Sequence, residues 1–462
     1  MLKRILIYMA VALAATTAAE ADSSTVLAFP FENLTNDRTL DWIGEGIAEL
    51  IIERLQPEPA VYVFSREERL AAYEKAGIPE TAMVSRATAL KLGWDNGADN
   101  VITGSFSGTA EDFHILARLV DMEAGSAIEI KADGKLQDII PLTMTASWQL
   151  LRRIIPGTAS PESDYTARPP TPRSAFENYI RAFLTQDLQK RIDLLQTAIR
   201  LHPQYGPALF QLGRVLQLQR DFNTSNQWLQ KLPESAPERR QVLFMTGLNY
   251  FYVGDYPSAI TTFQQLPQTY DELLNLGAAL SRKGDETAAL SVWNRAATMD
   301  PFASDAFFNM GYLSYVKGDF AAAEKNLMES LKLRGRDSEA LFLLGRTYDK
   351  QGRQQESRKL IAQAARLSQR VERWLTQPLS PLERFVTTTT FRTHDDVWND
   401  QRLARRARSL DLPSWLEVVQ ANIDLYFFGD ALRELRDLKK IFPDSSEAKS
   451  LADEIDRQRN LR

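Results

Sequence analysis

Residues 273–293 read LLNLGAALSRKGDETAALSVW, and the residue classes of this stretch recur in register through the middle of the chain. Its glycine, Gly277, has counterparts at Gly213, Gly247, Gly311 and Gly345, so the successive spacings are 34, 30, 34 and 34 residues. Four positions before each glycine stands Leu209, Leu243, Leu273, Phe307 or Leu341. Twelve positions after it comes a small residue, Ser225, Ala259, Ala289, Ala323 or Ser357, and sixteen after it a bulky apolar one, Leu229, Phe263, Trp293, Leu327 or Ile361. A fixed period with fixed classes is the mark of a repeat architecture.

The physics of one unit follows from these offsets. A glycine in a first helix facing a small residue in a second lets two backbones approach, while the Leu and aromatic positions fill the remaining groove. Gly254-Asp255, Gly284-Asp285, Gly318-Asp319 and Gly352-Arg353 stand where the first helix should end in a left-handed cap. The copy around Gly213 has Arg220-Asp221 there instead. Pro237 and Pro301 mark the ends of second helices. One helix pair buries too little apolar surface to stand alone, so the units are expected to stack as a solenoid.

On these residues the stretch resembles the tetratricopeptide repeat, which implies two antiparallel helices per unit and an array over 174–369, opened by a degenerate pair, Ser174 to Arg200. Beyond 369 the period is lost at Pro378 and Pro381, Thr387 to Thr390 is a β-branched run, and Val397 to Ser409 reads as helical. Trp415 to Phe442 then reads as a divergent repeat, with Ala431, Leu435 and Leu438 at repeat-like spacing and Ser446 to Arg457 as its capping helix. Arg402, Arg405, Arg406 and Arg408 form a basic cluster, read as a solvated face or a contact for an anionic partner such as phospholipid or an acidic protein.

In such arrays the first helix lines the concave surface, which places positions −3, +1 and +4 from each glycine on it. These are Phe210, Arg214 and Gln217; Phe244, Leu248 and Phe251; Leu274, Ala278 and Ser281; Phe308, Tyr312 and Tyr315; and Phe342, Arg346 and Asp349. The expected groove is aromatic, suited to an extended or helical apolar peptide anchored on rings. The alternative is that several rings pack between repeats. The Lys and Asn clamp with which some tetratricopeptide domains hold a terminal carboxylate is not found at these offsets.

Composition bounds the rest. The chain has 462 residues, 44% hydrophobic and 25% charged, as in ordinary multidomain globular proteins. A net charge of −5 argues against a nucleic-acid-binding surface covering the protein. The absence of Cys removes disulfides, thiol chemistry and Cys-based metal sites. Lys3 and Arg4 precede an apolar run from Ile5 to Ala15, and Ala19-Glu20-Ala21 is an A-x-A site, so residues 1–21 read as a Sec-type signal, with an uncleaved anchor as the alternative.

Residues 22–155 read as a small mixed α/β domain: strands at Thr25 to Pro30 and Val61 to Ser65, a helix from Asp41 to Gln56, and helices at Arg66 to Ala76 and Ser85 to Gly93. A three-strand meander follows from Asn100 to Ala132, and a closing helix from Leu136 to Ile155. Residues 26–34 (VLAFPFENL), 44–50 (GEGIAEL), 98–106 (ADNVITGSF) and 117–121 (ARLVD) resemble the TolB N-terminal type of domain, shared with envelope proteins of the FlgO and CsgG kind. That likeness implies an exported, non-enzymatic domain working through protein contacts. Gly44-x-Gly46 at a helix start superficially suits a dinucleotide, but Glu49 stands at the third glycine position and would repel phosphate, so close helix-to-sheet packing is the expectation. Residues 156–173, with Pro156, Pro161, Pro169, Pro170 and Pro172, read as a semi-rigid spacer.

His114, His202 and His394 carry no paired spacing, and no nucleophile elbow or phosphate-binding loop is present. The sequence therefore predicts no enzyme, cofactor or metal. It predicts an envelope scaffold for protein or peptide partners, without nucleic acid and with at most peripheral membrane association. The alternative is a structural accessory of an outer-membrane secretion or surface-assembly machine.

Overall fold

The computed structural model describes residues 24–58, 60–157, 161–163, 171–234, 236, 238–375, 382–386 and 412–460. The expected signal, most of the spacer, Thr387 to Thr390, Val397 to Ser409 and the arginine cluster lie outside these residues. The chain divides into two compact units, one reaching to Pro203 and one holding Gln204–Arg392 and Leu410–Arg462.

The first unit is built on a six-stranded mixed sheet in the order β3-β1-β4-β5-β6, with β2 (Glu32–Asn33) paired to β4. β1 (Ser24–Ala28) lies parallel between β3 (Val61–Val63) and β4 (Asn100–Gly108), a central place that suits the buried apolar run Val26-Leu27-Ala28. β4, β5 (Phe113–Asp121) and β6 (Ala127–Gly134) form the antiparallel meander. Thr25 ties β1 to the start of β4: its N–H and hydroxyl both donate to Asp99 Oδ2 at 2.8 Å, and Asp99 N–H donates back to Thr25 Oγ1 at 2.7 Å.

Helices cover both faces. α1 (Trp42–Leu55) packs with α4 (Ile139–Ile154), which lies on β5 and β6. α2 (Arg66–Lys75) and α3 (Arg86–Asp95) bury Ala72, Tyr73, Ala89 and Leu92 against Leu27, Phe29 and Val101. Gly44 is a close-approach residue: a Cβ there would lie 2.1 Å from Phe31 O, and Gly44 O accepts from Phe31 N at 3.1 Å. The next helical pair, α5 (Arg173–Phe183) and α6 (Leu188–Leu201), belongs to this unit. Phe176 packs edge-on against Trp42 over the notch at Gly46, Arg66 lies over the Phe183 ring, and Arg181 donates to Thr39 O at 2.7 Å. The packing boundary thus follows Pro203, later than the proline-rich stretch suggested.

In the second unit the repeats appear as helix pairs: α7 (Gly206–Leu218) with α8 (Phe222–Leu229), α9 (Arg239–Val253) with α10 (Tyr256–Gln264), α11 (Tyr270–Lys283) with α12 (Glu286–Met299), α13 (Ser304–Val316) with α14 (Phe320–Leu333), and α15 (Ser338–Lys350) with α16 (Gln354–Leu367). Which residue the repeat glycine faces needs correction. Cβ atoms added at Gly213, Gly247, Gly277, Gly311 and Gly345 would lie 2.4, 2.6, 2.3, 2.7 and 2.8 Å from Leu229, Phe263, Trp293, Leu327 and Ile361. The missing Cβ is a notch filled by the bulky +16 side chain, while the small +12 residue permits the backbone approach; Ser225 Oγ donates to Gly213 O at 2.8 Å.

Each first helix from α9 to α13 stops at a glycine in the left-handed region: Gly254, Gly284 and Gly318 have φ of 84°, 92° and 79°. The aspartate that follows caps the second helix, and Asp221, Asp255, Asp285 and Asp319 each accept from a backbone N–H three residues on. Where the first copy lacks the glycine, Arg220 itself takes φ of 64°. After a short helix α17 (Gln369–Trp374), α18 (Leu412–Asp424) and α19 (Phe428–Ile441) form the divergent hairpin, with Ala431, Leu435 and Leu438 buried and Tyr426 at φ of 63° in the cap position. α20 (Ser446–Asn460) packs on it, burying Ala448 and Ile455.

Candidate functional site

The inner helices α11 and α13 each carry an asparagine two positions before the repeat glycine, Asn275 and Asn309. Both are buried, at 1% and 0% exposure, so each must find partners for a donor and an acceptor. They find them on the chain's own residues 382–386, which lie across the groove without helix or strand assignment. Asn309 Nδ2 donates to Arg384 O at 2.8 Å, and Arg384 N donates to Asn309 Oδ1 at 2.7 Å. Asn275 repeats the pair one repeat away: its Nδ2 donates to Val386 O at 2.8 Å and its Oδ1 accepts from Val386 N at 2.6 Å. Alternate residues of an extended chain present their backbone groups to the same side. Two asparagines at one helical offset in adjacent repeats therefore act like a sheet edge for a short strand.

Side chains add selectivity to this backbone grip. The Arg384 guanidinium lies 3.7 Å over the Phe308 ring and reaches Asp305 at 2.9 Å, Asp337 at 2.7 Å and Glu339 at 3.5 Å. Burial works against this charge, but Asp337, Asp305 and Glu339 outweigh it and hold the guanidinium above its ordinary range. Asp337 is itself fixed by capping α15, accepting from Glu339 N and Ala340 N at 3.1 Å. Glu383 accepts from Arg282 Nε at 2.7 Å and from Ser281 Oγ at 3.1 Å. Phe385 packs on Phe251 and Tyr252, with centroids 4.7 and 5.8 Å away, and Leu382 is buried with Tyr312, which is hydrogen-bonded to its backbone. At the Val386 end a cavity of about 270 Å³ opens beside Tyr270, Asp300 and Arg433.

The expected groove residues fall into separate environments. Phe251, Ser281, Phe308 and Tyr312 face residues 382–386. Phe244, Leu248, Leu274 and Ala278 lie in the packing core of the central repeats, and Phe342 packs against Trp374. Phe210 and Arg214 face one another at 5.8 Å, Gln217 donates to Asn249 at 2.7 Å, Tyr315 packs against Phe320, Arg346 is half-buried and Asp349 is exposed. Asn275 and Asn309 escaped the sequence reading because it followed the −3, +1 and +4 offsets. The recurrence of Asn at −2 in two adjacent units was the available signal.

Elsewhere, ionisable groups pair locally. In the first unit Glu45 accepts from Arg66 Nε at 2.7 Å and from Arg69, which also donates to Ala28 O at 3.0 Å. His114 on β5 is bonded to Asp133 on β6 at 2.7 Å, and this bond raises its pKa. His202 closes α6, and His394 lies outside the described residues. Among the described residues no group of three or more His, Asp or Glu is arranged to hold a metal ion, and no helix is long and apolar enough to cross a membrane.

Family models match the central repeats. Residues 274–329 and 308–370 match one tetratricopeptide repeat family and residues 241–272 match another, so these segments are tetratricopeptide repeats. A stretch of 164 residues is 25% identical to the BBSome complex member BBS4 of Bos taurus, covering 35% of this chain and 31% of that protein. The chain thus spans under a third of that relative's length. Among solved structures, MamA is 19% identical over 35% of this chain and 97% of its own, with a TM-score of 0.32. PilW, described as a widely conserved type IV pilus biogenesis factor, is 15% identical over 44% of this chain and 98% of its own, with a TM-score of 0.38.

Proposed function

We propose that this chain is an exported, non-enzymatic scaffold that binds protein partners in the cell envelope through the concave groove of its tetratricopeptide repeats. The observation that carries the reading is the paired grip of Asn275 and Asn309 on an extended backbone, a device for holding a peptide rather than for transforming one. Export is supported by the Lys3-Arg4 start, the apolar run from Ile5 to Ala15 and the A-x-A site at Ala19. The sheet unit would act as a second contact surface.

The test is capture of envelope proteins on the immobilised mature chain, compared with the Asn275→Ala/Asn309→Ala variant, alongside fractionation of cells that express the full sequence. Retention of defined envelope proteins, reduced in the variant, is expected, with the chain in the periplasmic or membrane fraction. Accumulation in the cytoplasm, or capture indifferent to the two asparagines, would reject the reading. Recovery in a large outer-membrane assembly would favour the structural-accessory role instead.

A further inference from the structure

Residues 382–386 belong to the chain itself, yet their contacts are those an independent peptide would make. Both backbone groups of Arg384 and of Val386 are taken by asparagine side chains from helices more than 70 residues away in sequence. Each side chain has its own seat: Leu382 by Tyr312, Glu383 on Arg282 and Ser281, Arg384 in the acidic site over Phe308, and Phe385 on Phe251 and Tyr252. The acidic site is the most demanding. Asp305, Asp337 and Glu339 converge on one guanidinium; Arg334 lies 3.6 Å from Asp305 and Arg370 3.1 Å from Glu339 on the outer side, so a cation at the centre is needed above all by the buried Asp337. A planar group that donates in two directions and stacks on Phe308 fits it, which selects arginine over lysine.

We infer that Leu382–Val386 is an internal stand-in for the groove's ligand, and that the ligand is an extended segment of a partner protein with the pattern acid, arginine, aromatic, aliphatic, which enters by displacing this strap. The inference rests on the groove being the partner-binding surface proposed above. Charge complementarity argues for the pattern, since Arg282 requires an acid immediately before the arginine that the three carboxylates require. Displacement is within reach because Leu382–Val386 has no helix or strand of its own and is held by side-chain contacts, so it can lift locally. A tethered segment competes at an effective concentration of about 1 mM, so a free peptide meets an occupied groove and its apparent affinity falls by the unoccupied fraction. The strap thereby sets a threshold that only a partner matching the pattern passes.

The experiment uses the full chain and a fluorescent peptide of residues 380–388, SPLERFVTT. The strap is weakened in the protein by Arg384→Ala/Phe385→Ala. That variant is expected to bind the peptide at least about tenfold more tightly than the unaltered chain, and adding Asn275→Ala/Asn309→Ala should abolish the gain. The same peptide with Arg384→Ala should lose at least about tenfold, and with Arg384→Lys an intermediate amount. A folded strap variant that binds no better than the unaltered chain overturns the inference. Should that variant fail to fold, hydrogen exchange on the unaltered chain decides. With unlabelled peptide at ~1 mM the Arg384 and Val386 amides should exchange faster, and unchanged protection overturns the inference. A dimer in solution that dissociates on Arg384→Ala/Phe385→Ala would make a second copy the occupant, and would also overturn it. Displacement by peptide without capture of any envelope protein would reject the proposed function alone; capture through the asparagines without displacement would reject only this inference.

Discussion

Asn309 holds Arg384 by both of its backbone groups, accepting from N–H at 2.7 Å and donating to C=O at 2.8 Å. Asn309→Ala leaves both groups without partners under cover, at a cost of about 1–3 kcal/mol for each group left buried. The strap can relieve that cost by lifting into water, so the loss should be local. Amide exchange measured by mass spectrometry on the fragment spanning 382–386 is expected to accelerate by at least about tenfold, while the melting temperature of the repeats moves little. Unchanged protection would show that the side-chain contacts alone fix the strap.

A second prediction concerns the notch at Gly277. Alanine is the better helix former by about 1 kcal/mol, so on local grounds Gly277→Ala should stabilise α11. The added Cβ would, however, lie 2.3 Å from Trp293 Nε1, whose N–H donates to Leu274 O at 3.1 Å. Trp293 is fully buried and has no room to retreat, so overpacking of about 1–3 kcal/mol outweighs the propensity gain. Net destabilisation of up to about 2 kcal/mol is expected in urea unfolding, with a change in the tryptophan fluorescence of the folded state. A stabilised variant would mean that the helices spread at no cost.

The helical pairs and their caps were legible because their causes are local: a glycine at fixed offsets, a Gly-Asp pair that ends one helix and caps the next, and a bulky residue sixteen positions on. The strands of the first unit were legible for the same reason, since Val26 to Phe29 can only be a buried strand and Gly104 falls within a meander. The strap was not legible. Asn275 and Val386 are 111 residues apart, and nothing in LERFV marks it as bound, because the backbone groups that Asn275 and Asn309 hold are common to every residue. The packing of Phe176 on Trp42 was hidden likewise, since a proline-rich stretch between them reads as a domain boundary whatever lies on either side.

Arg220 tests the cap rule from the opposite side. It occupies the left-handed region at φ of 64°, where the four following first helices use glycine. A non-glycine residue there costs about 1–2 kcal/mol, and part of the gain from glycine is lost to the extra freedom it gives the unfolded chain. Arg220 is exposed, so little packing is forfeited. Arg220→Gly is therefore expected to stabilise the repeat unit by about 0.5–1 kcal/mol, read as a higher denaturation midpoint with an unchanged slope.

Glu49 on α1 gives the first unit a pH dependence. Its Oε1 is buried without a hydrogen-bond partner, and burial, with Glu45 adding to it, pushes the carboxyl from 4.5 up to about 8 despite Arg69 and Arg66 nearby. The folded chain thus binds this proton more tightly than the unfolded chain does. The contribution to stability is complete below about pH 4.5, declines as pH rises, and is lost once pH passes about 8. Glu49→Gln keeps a neutral side chain of the same shape at every pH, so it should match the unaltered chain near pH 4.5 and melt at a higher temperature than it at pH 8.5. The difference between the two melting curves, taken across that range, isolates this group from the other carboxylates. A variant that is less stable than the unaltered chain at pH 8.5 would show instead that the ionised Glu49 is stabilised by the arginines of α2.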